Sequence, residues 1–331
     1  RLIRRMAAEG MKLKCHYAAP VCSPSRSALM TGCYPKRVLP IPGVLFPSGA
    51  VGLNPKEQTV AEVLKTAGYA TACIGKWHLG DREGRFPHQR GFDEWYGIPR
   101  TTNESMFTAA AGFDPSVVDL PWVMEGLAGQ PGRNVAVYDL DKRRVIDSEL
   151  TARTIDFMQR QCKADQPFFA YVPLTHLHFP TLPHPDFAGR SAVGDFADSM
   201  MEMDHRVGQI LDALADLQAL DDTLFIFASD NGPEFRRPWR GTAGPWTGTY
   251  HTAMEGGLRV PLIVHWPGVV EPGRVSDEIV HVTDLFSTIA AAGSARLPDD
   301  RPVDGVNQLD LWTGRSDKSA REGFLFYIKN E

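Results

Sequence analysis

Residues 59–78 read Thr59-Val60-Ala61-Glu62-Val63-Leu64-Lys65-Thr66-Ala67-Gly68-Tyr69-Ala70-Thr71-Ala72-Cys73-Ile74-Gly75-Lys76-Trp77-His78. Thr59 with Glu62 three places later is a capping box, in which the hydroxyl and the carboxylate each satisfy a backbone N–H at a helix start. Val60, Val63 and Leu64 make one apolar stripe at helical spacing, and Gly68 supplies the stop. The spacing predicts a helix over 59–68. The short run over 69–74 then reads as a strand, and the polar Gly75-Lys76-Trp77-His78 follows at once. Helix, strand and polar cluster in succession are the unit of an open α/β sheet, where ligands bind outside the carboxyl ends of the strands.

The alternation continues on both sides. Met11, Leu13, Cys15 and Tyr17 alternate with polar partners as a half-buried strand would. Further strands are expected over 167–174, 223–229 and 258–266, and helices over 147–160, 196–217 and 282–292. The pattern predicts an α/β fold with a large, mainly parallel sheet sandwiched by helices. Gly/Pro-rich stretches at 35–55, 84–132 and 233–257 are too long for plain connectors and read as active-site loops. After about residue 295 the chain turns polar and Pro-rich, and it closes on a strand-like run over 323–328.

With 331 residues, 43% of them hydrophobic and 23% charged, the chain can bury a sizeable core and is not a disordered tail. The net charge of -5, from 35 Lys+Arg against 40 Asp+Glu, gives no footprint for nucleic acid, so a polyanion partner would need a local basic site. No apolar run approaches the roughly 20 residues a membrane helix needs, so no membrane partner is expected. Cys15, Cys22, Cys33, Cys73 and Cys162 show neither CxxC nor zinc-type spacing, and all but Cys22 read as structural. The chain starts at Arg1 without an initiator Met or the apolar core of a signal peptide, and a fragment is expected.

Three polar clusters follow predicted strands: residues 75–80, residues 175–180, and Asp230-Asn231-Gly232. Any one alone is an ordinary turn or loop; together they point to one crevice. A fourth cluster is Cys22-Ser23-Pro24-Ser25-Arg26-Ser27-Ala28-Leu29-Met30-Thr31-Gly32. Ser23 as N-cap and Pro24 as first helical residue would put Cys22 at a solvent-facing, positive helix end. Arg26, about one turn on, offers a planar charged fork to the same anion. A cysteine-dependent phosphatase needs a longer, glycine-bearing loop between Cys and Arg, which this interval lacks.

Cys22-x-Pro24-Ser25-Arg26 followed by Met30-Thr31-Gly32 resembles the signature of type I sulfatases. Residues 6–10 and 17–21, Gly75-Lys76-Trp77-His78, His178-Phe179-Pro180, Asp230-Asn231-Gly232 and residues 255–261 are similar to family blocks and come in the family order. The resemblance covers nearly the whole chain and implies an alkaline-phosphatase-like sulfatase core. It implies that residues 1–331 are a catalytic domain truncated at its N-terminus and at its C-terminus. The missing first strand would carry a metal-binding aspartate pair, and residues 296–331 would be a polar tail leading into a further subdomain.

The chemistry implied by that resemblance starts with oxidation of Cys22 to Cα-formylglycine by a formylglycine-generating enzyme. A hydroxyl of the hydrated aldehyde would attack the sulfur of a small-molecule or carbohydrate sulfate ester and expel the alcohol. The second hydroxyl would then lose its proton, ejecting sulfate and restoring the aldehyde. Arg26 would orient the formylglycine, Lys76 would bind sulfate oxygens, His78 would assist the collapse, and His178 would protonate the leaving oxygen or bind sulfate. Asp230 and Asn231, with position 22, resemble ligands for Ca2+ or Mg2+. Two departures stand out: no Asp-Asp pair precedes Cys22, and Tyr250, beside His251, stands where many members carry a sulfate-binding lysine, so that Tyr250 and His251 are the expected substrate-binding residues there and the lysine's contact is altered or supplied by His251. A formylglycine-dependent phosphonate monoester or phosphodiester hydrolase, or a non-catalytic truncated relative, are the alternatives. Family resemblance favours a periplasmic or secreted protein. His176 reads as a second substrate-facing histidine or, in preference, a loop polar residue, Asp204 and Arg206 as a structural ion pair or solvated face, and His184 as lining the mouth. Trp239 and Trp246 are either a platform for a sugar or aromatic ring or loop packing.

Overall fold

In the computed structural model, which describes residues 2–40, 43–46 and 51–327, the elements run α1 (Leu2–Glu9), β1 (Met11–Tyr17), α2 (Cys22–Thr31), α3 (Pro35–Val38), α4 (Val60–Thr66), β2 (Ala70–Ile74), β3 (Glu94–Gly97), β4 (Trp122–Leu127) and β5 (Arg133–Val137). They continue as α5 (Leu140–Lys163), β6 (Phe168–Tyr171), α6 (Asp195–Asp216), β7 (Phe225–Ala228), α7 (Glu255–Leu258), β8 (Leu262–His265), β9 (Arg274–His281), α8 (Val282–Ala292) and α9 (Leu309–Trp312). The capping box at Thr59 forms as expected: Thr59 Oγ1 accepts from Glu62 N at 3.2 Å, and the Glu62 carboxylate accepts from Thr59 N at 2.6 Å.

The strands form two sheets, β7-β8-β1-β9 and β5-β4-β3-β2-β6. β1 is parallel to β9, and β2 is parallel to both β3 and β6. The remaining pairs, β7–β8, β8–β1, β3–β4 and β4–β5, are antiparallel. The helix-flanked α/β architecture is the expected one. The antiparallel β3–β5 part was not expected, because β3 and β4 lie in the 84–132 stretch read as a loop and β5 follows it directly, in residues that were not read as a strand.

Side-chain alternation along β2 divides the core. Cys73 packs with Met30 of α2, Leu64 of α4 and Phe286 of α8, whereas Ala72 and Ile74 face Ile146, Leu150 and Phe157 of α5. Each fully buried large apolar side chain contributes about 1.5–3 kcal/mol. Gly75 sits at φ +143°, and a Cβ there would lie 2.2 Å from the Pro173 carbonyl oxygen, so only glycine lets β2 pass this close to the end of β6.

Among the described residues β6 is paired only with β2, and β7 only with β8. Residues 168–174 and 224–230 of these two segments line one cavity of about 1980 Å3. Val207, Ile210 and Leu214 of α6 also line it, as do Leu29, Leu285 and Ile289. This gap leaves Phe168 to Tyr171 and Phe225 to Phe227 only half-buried, unlike the fully buried β8.

Other boundaries differ for local reasons. α5 starts seven residues before the expected 147, because Asp139 caps it by accepting from Lys142 N at 2.8 Å. α2 begins at Cys22 with Val21 at the N-cap, which makes no side-chain cap bond; Ser23 Oγ accepts from Leu45 N instead. The 258–266 strand shortens to β8 because α7 turns the chain just before it. β9 had no counterpart among the expected strands. The strand-like run has no strand over 323–327, and residue 328 lies outside the described residues. The polar tail is docked: Asp304 N and Gly305 N both donate to Gly32 O at 2.9 Å, and Arg321 pairs with the buried Asp284 at 2.6 Å. Among the described residues no helix is long and apolar enough to cross a membrane.

Candidate active site

The loops after β1, β2, β6 and β7 meet, and Arg26 ties them together. From the first turn of α2 its Nε and Nη2 both reach Asp230 Oδ2 at 2.8 Å, beyond the end of β7. Its Nη1 donates to Lys76 O at 2.5 Å, beyond β2, and to Tyr171 Oη at 3.4 Å, on β6. Burial opposes the charge on Arg26, but Tyr171, Asp230 and Cys22 outweigh it and raise its pKa further.

Cys22 is the first residue of α2 and only 2% exposed. The expectation of a solvent-facing helix end is therefore corrected. Its Sγ lies 3.8 Å from Tyr250 Oη. Tyr250 is thus the residue set against Cys22, while His251 is exposed and stacks edge-on against Tyr250 at 4.4 Å. Burial, then Cys22, pushes the Tyr250 phenol far above its usual range, so it stays protonated.

Lys76 is buried, and that burial lowers its pKa, with Cys22 acting in the opposite direction. His78 Nε2 lies 3.0 Å from Leu45 O, which only an N–H on that nitrogen can satisfy as a hydrogen bond. The buried Nδ1 is then a bare acceptor, with no hydrogen-bond partner among the described residues. Burial, with Lys76 and Arg26 adding to it, holds the His78 pKa well below the ordinary value and keeps the ring neutral. In His178, Nδ1 donates to Phe179 O at 2.7 Å, and Nε2 lies 3.3 Å from Thr101 Oγ1 and 3.9 Å from Glu234 Oε1. Burial and then Lys76 lower its pKa as well.

Sequence reasoning missed Glu234, whose Oε2 accepts from Phe179 N at 3.1 Å and whose carboxyl pKa is raised by burial. Its place just after Asp230-Asn231-Gly232-Pro233 was the available signal. Arg143 was missed too. Fully buried on α5, it donates to Pro180 O at 3.0 Å, His178 O at 3.2 Å and Thr175 Oγ1 at 2.9 Å, and so holds the 175–180 loop. It also lies 3.3 Å from His176 Nδ1, and His176 Nε2 is 2.9 Å from Glu202. The His176 side chain is thus fully buried in a structural network and is not a loop polar group. Arg206 pairs with Glu202 at 3.1 Å, and Asp204 accepts from Leu2 N and Ile3 N, so both are structural but not partners of each other. His184 N donates to Glu202 at 2.7 Å, and its ring faces Asp186 at 3.3 Å. All five cysteines are free; Cys33 and Cys73 are buried, Cys15 and Cys162 half-buried.

Asp230 and Asn231 stand together at the end of β7, but Asp230 is engaged by Arg26, and Asn231 Nδ2 donates to Gly232 O at 2.9 Å. Among the described residues no group of three or more His, Cys, Asp or Glu is placed to hold a metal ion. Calcium takes six to eight oxygens, so these residues do not by themselves fit a divalent ion. What the pocket does fit is an anion. Two buried cations, Arg26 and Lys76, interact electrostatically with Cys22, the protonated Tyr250 phenol lies 3.8 Å from it, and the His78 imidazole feels the same two cations, so the pocket offers donors and one base.

A family model described as Sulfatase matches residues 1–294. Arylsulfatase A of Homo sapiens is 39% identical over 98% of this chain and 64% of its own length. N-acetylgalactosamine-6-sulfatase of Canis lupus familiaris is 36% identical over 94% of this chain and 60% of its own length. The chain thus spans less than two thirds of these curated relatives. A crystal structure of a sulfatase from Pseudoalteromonas sp. superposes with a TM-score of 0.91 at 30% identity, covering 98% of this chain and 68% of that one.

Proposed function

The chain belongs to the sulfatase family, and from that premise we propose that its pocket hydrolyses a sulfate monoester through a formylglycine made from Cys22. The observation that carries this reading is the convergence on Cys22 of Arg26, Lys76 and Tyr250, with the neutral His78 bound through its far nitrogen to the Leu45 carbonyl. The donors around Cys22 suit an oxygen-bearing side chain better than a thiol. Oxidised to the aldehyde and hydrated, position 22 supplies a hydroxyl nucleophile and a way to release sulfate afterwards.

The chain's own residues then divide the work. Arg26, fixed by Asp230 and Lys76 O, positions the start of α2. Lys76 and the Tyr250 hydroxyl donate to the oxygens of the transferring group, whose negative charge is worth most to neutralise in a buried site. His78, with Nδ1 bare, takes a proton. His178, whose Nδ1–H is held by Phe179 O, gives a proton from Nε2 to the departing alcohol oxygen once the ring is protonated, the charged form that the Glu234 carboxylate 3.9 Å away favours. No step is assigned to a metal ion. Asp230 and Asn231 would be part of a Ca2+ site only if further oxygens joined them, and we propose that these come from a strand paired into the gap between β6 and β7, whose cavity Arg26 and Asp230 help to line.

Coexpression with a formylglycine-generating enzyme, followed by an aryl sulfate assay, tests the reading. An unmodified Cys22 and an untouched aryl sulfate would refute it. Tyr250 keeps one rival in view, because a neutral phenol in place of a lysine suits the single negative charge of a phosphodiester equally well. Faster turnover of a phosphodiester than of an aryl sulfate would reverse the order.

A further inference from the structure

We propose that the hairpin over residues 234–241 is a subsite for a second anionic group, a sulfate or carboxylate, on the sugar next to the one being desulfated. This rests on the sulfatase reading of the pocket and assigns its substrate class as an anionic oligosaccharide. The hairpin, Glu234-Phe235-Arg236-Arg237-Pro238-Trp239-Arg240-Gly241, carries three arginines in a chain whose net charge is -5. Phe235 and Arg240 form an antiparallel bridge, and Gly241 N donates to Glu234 O at 3.1 Å, which leaves residues 236–239 at the tip.

Arg236, Arg237 and Arg240 are exposed, and none is in an ion pair among the described residues. Three like charges on five consecutive residues repel one another, a cost that an anionic ligand would remove. Two of the guanidinium groups are already oriented. Arg236 lies 4.2 Å over the Phe179 ring and Arg240 3.6 Å over the Phe235 ring, so their flat faces are held while the N–H edges stay available to oxygens.

A ladder of rings connects this hairpin to the pocket. Phe179 stacks on His178 at 4.9 Å, and Trp239 stacks beyond Phe179 at 6.5 Å with 23° between the planes. His178 is the group assigned to the leaving oxygen, so the alcohol side of the ester extends toward Trp239. An indole face accepts the apolar face of a sugar ring, and the arginines then stand about one residue further along the saccharide.

The test uses the full chain with Cys22→Ala, which binds without turnover, and calorimetry with two probes. One is a neutral monosaccharide monosulfate; the other is a disaccharide bearing the same sulfate and a uronate on the adjacent sugar. The disaccharide should bind at least about tenfold tighter, as several charge-assisted contacts imply. In the variant with Arg236→Gln, Arg237→Gln and Arg240→Gln the ratio should fall to near one, with an unchanged thermal midpoint confirming the fold. A single Arg237→Gln variant, remote from the ring contacts, should lower the ratio partway. A ratio that survives the triple change, or equal affinities at the outset, would overturn the proposal. So would binding to phosphatidylserine vesicles that the triple variant loses while the sugar ratio stays near one throughout. Hydrolysis by the matured wild-type chain, measured in parallel, separates the two readings: turnover without an affinity ratio sinks the subsite alone, and an intact ratio without turnover sinks the sulfatase reading alone.

Discussion

Replacing Arg26 by Met removes a buried cation that serves three segments at once. Asp230 would lose both guanidinium contacts, and Lys76 O would lose its donor at 2.5 Å. Breaking one partner of a buried ion pair costs about 3–5 kcal/mol. The Asp230 side chain is 30% exposed and water can solvate part of its carboxylate, so a loss of about 2–4 kcal/mol is expected here. For a chain of this size that corresponds to a melting midpoint lower by roughly 3–6 °C. Urea denaturation in the presence of EDTA, on wild type, Arg26→Met, Asp230→Asn and the double variant, gives the cycle. Because the two side chains touch, the double variant should be more stable than the sum of the single losses predicts, by about 1–3 kcal/mol. Additive losses would refute the view that Arg26 is held mainly through Asp230.

Three further outcomes follow from the same geometry. Buried His16, neither of whose ring nitrogens has a hydrogen-bond partner among the described residues, has its pKa lowered to about 4, chiefly by burial. The unfolded chain takes up that proton first, so stability present above pH 6.5 is lost as pH falls toward 4, by about 3 kcal/mol; His16→Leu should flatten this acid limb in pH-dependent denaturation. Glu234→Gln keeps an acceptor for Phe179 N but removes the carboxylate 3.9 Å from His178. It should slow alkyl sulfates, which need a protonated leaving oxygen, about tenfold while changing activated aryl sulfates little, and equal slowing of both would contradict that role. Calorimetric titration of the chain with Ca2+ should show a dissociation constant no tighter than about 10⁻⁴ M, weakened further in Asp230→Asn; tight binding would mean that Asp230 and Asn231 have ligands the described residues do not supply.

Local signals carried the fold wherever a chain segment decides its own conformation. The Thr59 capping box and the amphipathic run at 282–292 formed as written, because their hydrogen bonds and stripes are made within a few residues. The start of α5 was legible in principle, since Asp139 is a good N-cap, but its first turns are polar and carry no stripe. β3 and β4 were hidden in a Gly/Pro-rich stretch, with β5 just beyond it, because pairing with other strands and not local pattern makes them strands. At the site, Cys22, Arg26, Lys76 and Asp230 were found from their motifs, and the structure joins them. Glu234 and Arg143 were not, because each acts through contacts that only the folded chain creates: a carboxylate brought to His178, and a buried guanidinium reaching across to the 175–180 loop. Tyr250 was singled out by its place before Glu255, yet nothing in the sequence said that it, and not His251, would face Cys22.

Mass spectrometry of the peptide spanning Cys22, after coexpression with a formylglycine-generating enzyme and alongside an aryl sulfate assay on the same preparation, bears most directly on the account. Conversion of the thiol to the aldehyde, with hydrolysis proportional to the converted fraction and absent in Cys22→Ala, is the predicted result. Hydrolysis that is unaffected by the state of residue 22, or full conversion with no sulfate released, would contradict it.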